Sequence, residues 1–294
     1  MPIVGDAVPD RAQPRVAVVI PCFNDGMVLR EALASLRDQE PCEVIVVDDG
    51  STEAVSRRVL EEVQAGGVQV IHQENAGPAA ARMTGLSATT ARFIMPLDAD
   101  DMIEPGAIQE LADALDADPD RCVAWGDVQT FGETTIHVRS PRALDPWLLT
   151  YVNLMPIVAL YRRVALERAG GWELKRYEDW DLWMTAAEQG WPVVHLDRIV
   201  ERSRLHGARK RRRDFASHVE AESLLERRHR PLFASRAHSR RRSAAPWWVK
   251  VALPMIEHLP GISRPTKHRL YNVVCLPAYL FLLLGRRARR KLSS

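Results

Sequence analysis

The chain of 294 residues is poor in cysteine, and its four cysteines are scattered. Cys22, Cys42, Cys122 and Cys275 form no Cys-x-x-Cys pair and stand at no zinc-like spacing from a histidine. A disulfide framework and a structural zinc site are therefore disfavoured, and reduced thiols in a cytoplasm are expected. Long apolar runs are also missing, since none reaches the roughly 20 residues that span a bilayer. The run Val273–Leu284 has 12 residues and contains Pro277. Met1–Pro14 is polar and proline-containing, without the apolar core of a signal peptide, so export is not expected. No internal repeat is visible.

What is present looks globular. Apolar residues make up 46% and charged residues 27%, ordinary for a soluble domain. The length suits one large domain with an appendage, or two small domains. A net charge of +2 conceals a division: residues 201–294 carry 23 Lys+Arg against 6 Asp+Glu, a net of +17. Residues 1–200 carry the remaining 17 and 32, a net of −15. The basic end therefore calls for an anionic partner, either nucleic acid or a membrane surface. The acidic part is compatible with an anionic nucleotide when a divalent metal mediates the contact.

From residue 15 onward, β-branched runs alternate with amphipathic stretches. Strands are expected at Arg15–Ile20, Val44–Val47, Val68–His72, Arg92–Leu97, Arg121–Trp125 and Val193–Val200. Helices are expected at Val28–Gln39, Glu53–Ala65, Pro78–Thr89, Pro105–Ala117, from Glu178 to about Gln189, and Asp214–Arg228. Such alternation implies an α/β fold with parallel strands and helices on both faces. The segment 127–160, broken by Pro141, Pro146 and Pro156, is expected to cross the mouth of the site and help choose an acceptor.

The most informative cluster is Asp98-Ala99-Asp100-Asp101, directly after the apolar run Phe93–Leu97. Three carboxylates at the end of a buried strand are costly unless a cation neutralises them, and hard oxygen ligands suit Mg²⁺ or Mn²⁺. A second acidic turn, Asp48-Asp49-Gly50-Ser51, ends another apolar strand fifty residues earlier. With Pro21-Cys22-Phe23-Asn24 after the first strand, these turns should share one sheet edge, where open α/β sheets bind ligands. Each motif also has a plainer reading. Asp49 before glycine is an ordinary turn residue, and Glu178-Asp179 suits a helix N-terminus. Arg82 could be a helix-surface arginine and His206 a solvated loop histidine, while Trp172, Trp180 and Trp183 could be core or an acceptor platform. Asp48 is expected to cap its turn, and Asp101 to cap the helix that starts near Pro105.

Taken in order, the motifs resemble those of the family 2 inverting glycosyltransferases. They are Val18–Asn24, Val47–Thr52, Asn75–Arg82, Pro96–Asp101 and Glu178–Trp183, with the resemblance covering about residues 15–210. Met83 departs from it, standing where the family commonly has Asn. The resemblance implies a GT-A fold: a Rossmann-like, mostly parallel sheet flanked by helices, over residues 15–213. A flexible 1–14 would precede it, and a helical basic extension, 214–294, would follow. The activity implied is hexosyl transfer from a nucleotide-diphosphate sugar, UDP- or dTDP-linked, to a glycan or lipid-linked acceptor hydroxyl in envelope glycan synthesis.

By the same resemblance, Pro21 and Asn24 line the nucleotide pocket, Asp49 accepts from the base, and Arg82 approaches the donor. Asp98 and Asp100 bind Mn²⁺ or Mg²⁺, with Asp98 nearer the ribose. Asp179 is the catalytic base, and His206 reaches the diphosphate or metal. The alternatives are a catalytically silent binding or scaffold protein of the same fold, and a sugar-nucleotide nucleotidylyltransferase. The latter normally carries a Gly-rich, Arg- and Lys-containing phosphate loop after strand one, and Pro21–Gly26 offers none.

Basic runs at Arg209–Arg213, Arg240–Arg242 and Arg286–Lys291 alternate with apolar Pro246–Val251 and Val273–Leu284. Tryptophan beside arginine is the chemistry of an interfacial anchor, so a peripheral position on the inner face of the cell membrane is expected rather than nucleic-acid binding. Packing of this segment on the catalytic domain, or on the partner in a homodimer, is the other reading.

Overall fold

The computed structural model describes residues 14–205 and 215–275, with no side-chain description for 215–218. His206, Arg209–Arg213 and Arg286–Lys291 lie outside the described residues.

The first half alternates as the apolar pattern requires: β1 (Val16–Cys22), α1 (Gly26–Ser35), β2 (Glu43–Asp48), α2 (Ala54–Ala65), β3 (Gln69–His72), α3 (Pro78–Ser87) and β4 (Phe93–Pro96). Then come β5 (Met102–Ile103), α4 (Ala107–Asp116), β6 (Val123–Gly132), β7 (His137–Val138), α5 (Pro146–Leu149), β8 (Leu160–Arg162), α6 (Arg163–Arg168), α7 (Glu178–Glu188) and β9 (Val193–Leu205). The chain continues as α8 (Phe215–Arg228), α9 (Arg230–Ala234), α10 (Arg236–Arg242) and α11 (Trp247–Glu257), followed by a helix over 264–275.

The strands form one sheet in the order β3-β2-β1-β4-β8-β6-β9-β5, with β7 on β6. The β3-β2-β1-β4 half is wholly parallel. Beyond it the sheet is mixed: β8 runs antiparallel to β4 and β6, β5 antiparallel to β9, and β6 parallel to β9. Strands alternate side chains between faces, so Ala17, Val19, Ile45, Val47 and Ile94 enter one core and Val16, Val18, Ile20, Val46 and Met95 the other. Helix α3 covers the first face and α1, α2 and α4 the second. On α4 the buried residues Ala107, Ile108, Leu111, Ala112 and Leu115 follow helical spacing. Gly85 lets α3 lie directly on β1, since a Cβ there would come 2.2 Å from Val19.

A third, smaller core joins the extension to the sheet domain. Val249 and Leu253 of α11, with Ala245 and Cys275, pack on Trp147, Leu148, Tyr151 and Val152. All four cysteines are free thiols. Among the described residues no helix is long and apolar enough to cross a membrane.

Candidate active site

In the parallel half, Val19 of β1 pairs with Pro96 of β4, and Cys22 with Asp48 of β2, so the carboxyl ends of these strands share one edge. Three polar turns leave that edge, and the first two hydrogen-bond to each other.

The first two turns are tied together. Pro21 is the half-buried partner of Val47 in the β1–β2 register. Asn24 adopts a left-handed φ of 59°, and its Oδ1 accepts from the amides of Thr52 (2.8 Å) and Glu53 (2.9 Å) at the entry to α2. Asp48 accepts from the Ser51 amide at 2.9 Å and meets Nδ1 of His72 at 2.9 Å, so it does cap its turn. Burial opposes its charge, but these bonds outweigh it and hold the carboxyl below its ordinary range.

Asp49 organises the loop that leads into α3. Its Oδ1 accepts from Nε2 of Gln73 (2.7 Å) and the Ala76 amide (2.8 Å), and its Oδ2 from the Gly77 amide (2.9 Å). A carboxylate has about four acceptor positions, so these bonds leave one, on Oδ2. Gly50, at φ 77°, permits the close approach, because a Cβ there would lie 2.9 Å from the Asn75 amide.

The third turn carries the acidic cluster. Ligand oxygens of Asp98, Asp100 and Asp101 lie within 4.8 Å of one another, a donor set that fits a hard divalent cation. The three are not equivalent. Asp98 Oδ1 accepts from Arg82 at 2.7 Å. Asp101 accepts from the Arg204 amide at 2.7 Å and from the Ser203 hydroxyl at 3.4 Å, pinning β9 beneath the cluster. Its expected capping role is thereby overturned, because Gly106 occupies the N-cap of α4 and the Asp101 carboxylate is directed to β9. Burial, then the charge of Asp98, pushes Asp101 up to about 7. Buried Glu201 beside it is held well above the carboxylate range by burial and by Asp101. Burial first, and the crowding of like charges second, thus disfavour the ionised form of both carboxyls.

Arg82 joins this cluster to the remote acidic motif. Its guanidinium is 2% exposed and donates to Asp98 at 2.7 Å and to Glu178 at 2.6 Å. Its Nε is buried with no partner among the described residues. Glu178 opens α7, and Asp179 follows it. Asp179 Oδ2 accepts from Nδ2 of Asn153 at 2.8 Å, so the irregular 127–160 segment does reach this site. Desolvation, then the charge of Glu178, raises the Asp179 carboxyl to about 6.

Of the residues singled out from sequence, Asp98 meets Arg82 directly, Asp100 lies beside Asp98 and Asp179 lies within reach of the Arg82 charge, while Asn24, Pro21 and Asp49 belong to the adjoining turns. Trp172, Trp180 and Trp183 are buried core residues, with the Trp180 and Trp183 indoles donating to the carbonyls of Leu149 (2.8 Å) and Pro156 (3.2 Å). Met83 packs its sulfur on the Gly171 turn and accepts from the Trp172 amide at 3.4 Å. Glu178, Asn153 and Glu201 were not expected to matter. Only Glu178 carried a signal, its place beside Asp179.

The model of the family described as Glycosyl transferase family 2 matches residues 17–169, just over half of the chain. The chain belongs to glycosyltransferase family 2. Asp98, Asp100 and Asn153 lie within the matched region, and Asp179 lies beyond it. The succinoglycan biosynthesis protein ExoU of Rhizobium meliloti is 30% identical over 206 residues, which is 61% of this chain and 59% of that protein. The chain spans less than two thirds of the length of such curated relatives, 29% in one case and 18% in another. Among solved structures, S. aureus TarS 1–349 in complex with UDP-GlcNAc is 16% identical with a TM-score of 0.58, over 93% of this chain and 91% of that one. The mannosyltransferase PcManGT from Pyrobaculum calidifontis, in complex with GDP-Man and Mn²⁺, is 20% identical with a TM-score of 0.52, over 94% and 89%. These likenesses give the fold, a GT-A sheet with flanking helices and an added helical region.

Proposed function

We propose that this family 2 protein transfers a sugar from a nucleotide-diphosphate donor to an acceptor hydroxyl, with inversion at the anomeric carbon. The reading is carried by one observation: Arg82 hydrogen-bonds Asp98 of the Asp-x-Asp turn and Glu178, the neighbour of Asp179, in a single buried unit. An in-line displacement needs a base on the side of the sugar opposite the leaving group, so donor-holding and proton-accepting carboxylates must come from different segments yet be held together. Asp179, raised to about 6, is deprotonated at neutral pH and still basic enough to take a hydroxyl proton, while Asn153 fixes its orientation.

Asp98 and Asp100 would hold Mn²⁺ or Mg²⁺, which would neutralise the charge that develops on the departing diphosphate. Asp101 is committed to β9 and is not assigned as a ligand. The single acceptor position left on Asp49 Oδ2 suits a base that offers one ring N–H, which favours uracil or thymine over guanine. Pro21 and Asn24 would form the wall beside that base. His206 is proposed to reach the diphosphate or the cation.

The relatives support the setting. TarS is described with UDP-GlcNAc and ExoU as a succinoglycan biosynthesis protein, so the acceptor proposed is a glycan or lipid-linked glycan of the cell envelope. That it is met at the inner membrane surface is proposed from the basic, tryptophan-bearing extension alone. The test is nucleotide release from a panel of UDP-, dTDP- and GDP-sugars with Mn²⁺ or Mg²⁺, comparing the parent with Asp179→Asn. Release from a pyrimidine donor that collapses in the variant is expected. Release that survives the substitution removes Asp179 from the base role, and failure to bind any nucleotide removes the whole reading.

A further inference from the structure

Helix α11 carries large apolar side chains on two opposite faces. Val249 and Leu253 are buried on the core formed by Trp147, Leu148, Tyr151 and Val152, which fixes the rotation of the helix. The outward face then carries Trp247, Val251 and Met255, 77%, 44% and 64% exposed and spaced four residues apart along one stripe. Water-facing stripes are normally polar, and an ordered row of large exposed apolar side chains marks an interaction surface.

Charge identifies the occupant. Arg240, Arg241 and Arg242 end the helix just before α11, and Lys250 lies on α11 itself. None of the four has a carboxylate within 4 Å among the described residues, although arginines elsewhere, such as Arg15, Arg82, Arg204 and Arg236, are paired. The sequence that follows the described residues repeats the chemistry, with apolar Ala278–Leu284 and then Arg286, Arg287, Arg289, Arg290 and Lys291. An isologous contact between two copies would set these unpaired cations against their own kind. A nucleic acid would use the cations and leave the apolar stripe in water.

We propose that α11 lies in the surface of an anionic bilayer, with Trp247, Val251 and Met255 among the upper acyl carbons and Arg240–Arg242 and Lys250 against phosphate headgroups. Tryptophan beside basic residues suits that boundary, where the ring is buried and the cations stay hydrated. The inference deepens the reading that the acceptor is met at a membrane, because it names the contacting face. Since α11 packs on the segment just before Asn153, membrane attachment would also set how the site faces the lipid.

The full chain should be sedimented with phosphatidylcholine vesicles, with and without about 30% phosphatidylglycerol. The parent is compared with a variant carrying Trp247→Ser, Val251→Ser and Met255→Ser, and with a second carrying Arg240→Gln, Arg241→Gln and Arg242→Gln. Five of the six positions are exposed and Arg240 is half-buried, and thermal unfolding checks that each variant remains folded. The expected result is binding that needs the anionic lipid, weakens in high salt, and falls about tenfold or more in the serine variant. If the serine variant binds as the parent does, another segment anchors the chain and the α11 face is wrong, while the membrane reading stands. If the parent ignores anionic vesicles, both fall. If the parent is a dimer and the serine variant a monomer, the stripe is an interface between copies and the proposal is overturned.

Discussion

Arg82 has the most consequential side chain in this chain, because a buried guanidinium between two carboxylates is stable only while both remain. Breaking a buried pair leaves an uncompensated charge, so Arg82→Ala should cost about 3–5 kcal/mol of stability, read by denaturant unfolding. A change near zero would mean that the carboxylates are solvated and the bridge is not structural. Asp179 makes a kinetic prediction. A base must be deprotonated to act, so turnover should rise with pH through about 6 and level off above it. Asp179→Asn should lose on the order of 10²–10⁴-fold in kcat, while donor binding by titration stays within a few-fold. The acidic turns were legible in sequence because Asp-x-Asp and Asp-Asp-Gly-Ser directly follow apolar strands. The Arg82–Glu178 contact was not, since it joins residues 96 apart and depends on how α3 and α7 pack. Glu201 was equally hidden, as nothing local separates a buried glutamate from an exposed one.

Helix α7 must hold Asp179 in place, and the extension holds it near both of its ends. His229, nearly fully buried, meets Asp181 at 2.9 Å and Glu188 at 3.1 Å, and Arg228 adds a contact to Asp181 at 3.0 Å. Burial disfavours the imidazolium, but the two carboxylates outweigh it and raise the His229 pKa above its ordinary value. A raised histidine contributes its full stability below its unfolded pKa, and loses it as pH rises through the higher folded value. His229→Ala should therefore cost about 1.5–3 kcal/mol in mildly acidic buffer and less in alkaline buffer, by thermal unfolding. A difference independent of pH would show a neutral imidazole. Long elements were readable from periodicity, whereas β5 and β8, with two and three residues, offered no pattern. Strand β9 outran its apolar segment because Glu201–Leu205 pairs with β6 and Asp101 anchors Arg204.

On the scale of the whole molecule, charge was readable and attachment was not. The excess of cations after residue 200 was plain, but its helices also pack on Trp147 and Tyr151 through a small core of their own. Leu253, fully buried there, should cost about 2–5 kcal/mol when changed to Ala, and the loss should appear in the main unfolding transition. A separate low-temperature transition would show that the extension melts independently. The fold, the Asp-x-Asp turn and the family were accessible from sequence because they rest on local patterns in a fixed order. The meeting of Asp98, Arg82, Glu178 and Asp179 is a property of the folded chain, and the proposed chemistry depends on it. That chemistry is tested most directly by the anomer released when an α-linked pyrimidine nucleotide sugar is slowly hydrolysed in the presence of Mn²⁺, followed by NMR before the sugar mutarotates. The account predicts that the β anomer appears first, and that its formation is lost in Asp179→Asn. Initial release of the α anomer, or β release undiminished by the substitution, would contradict it.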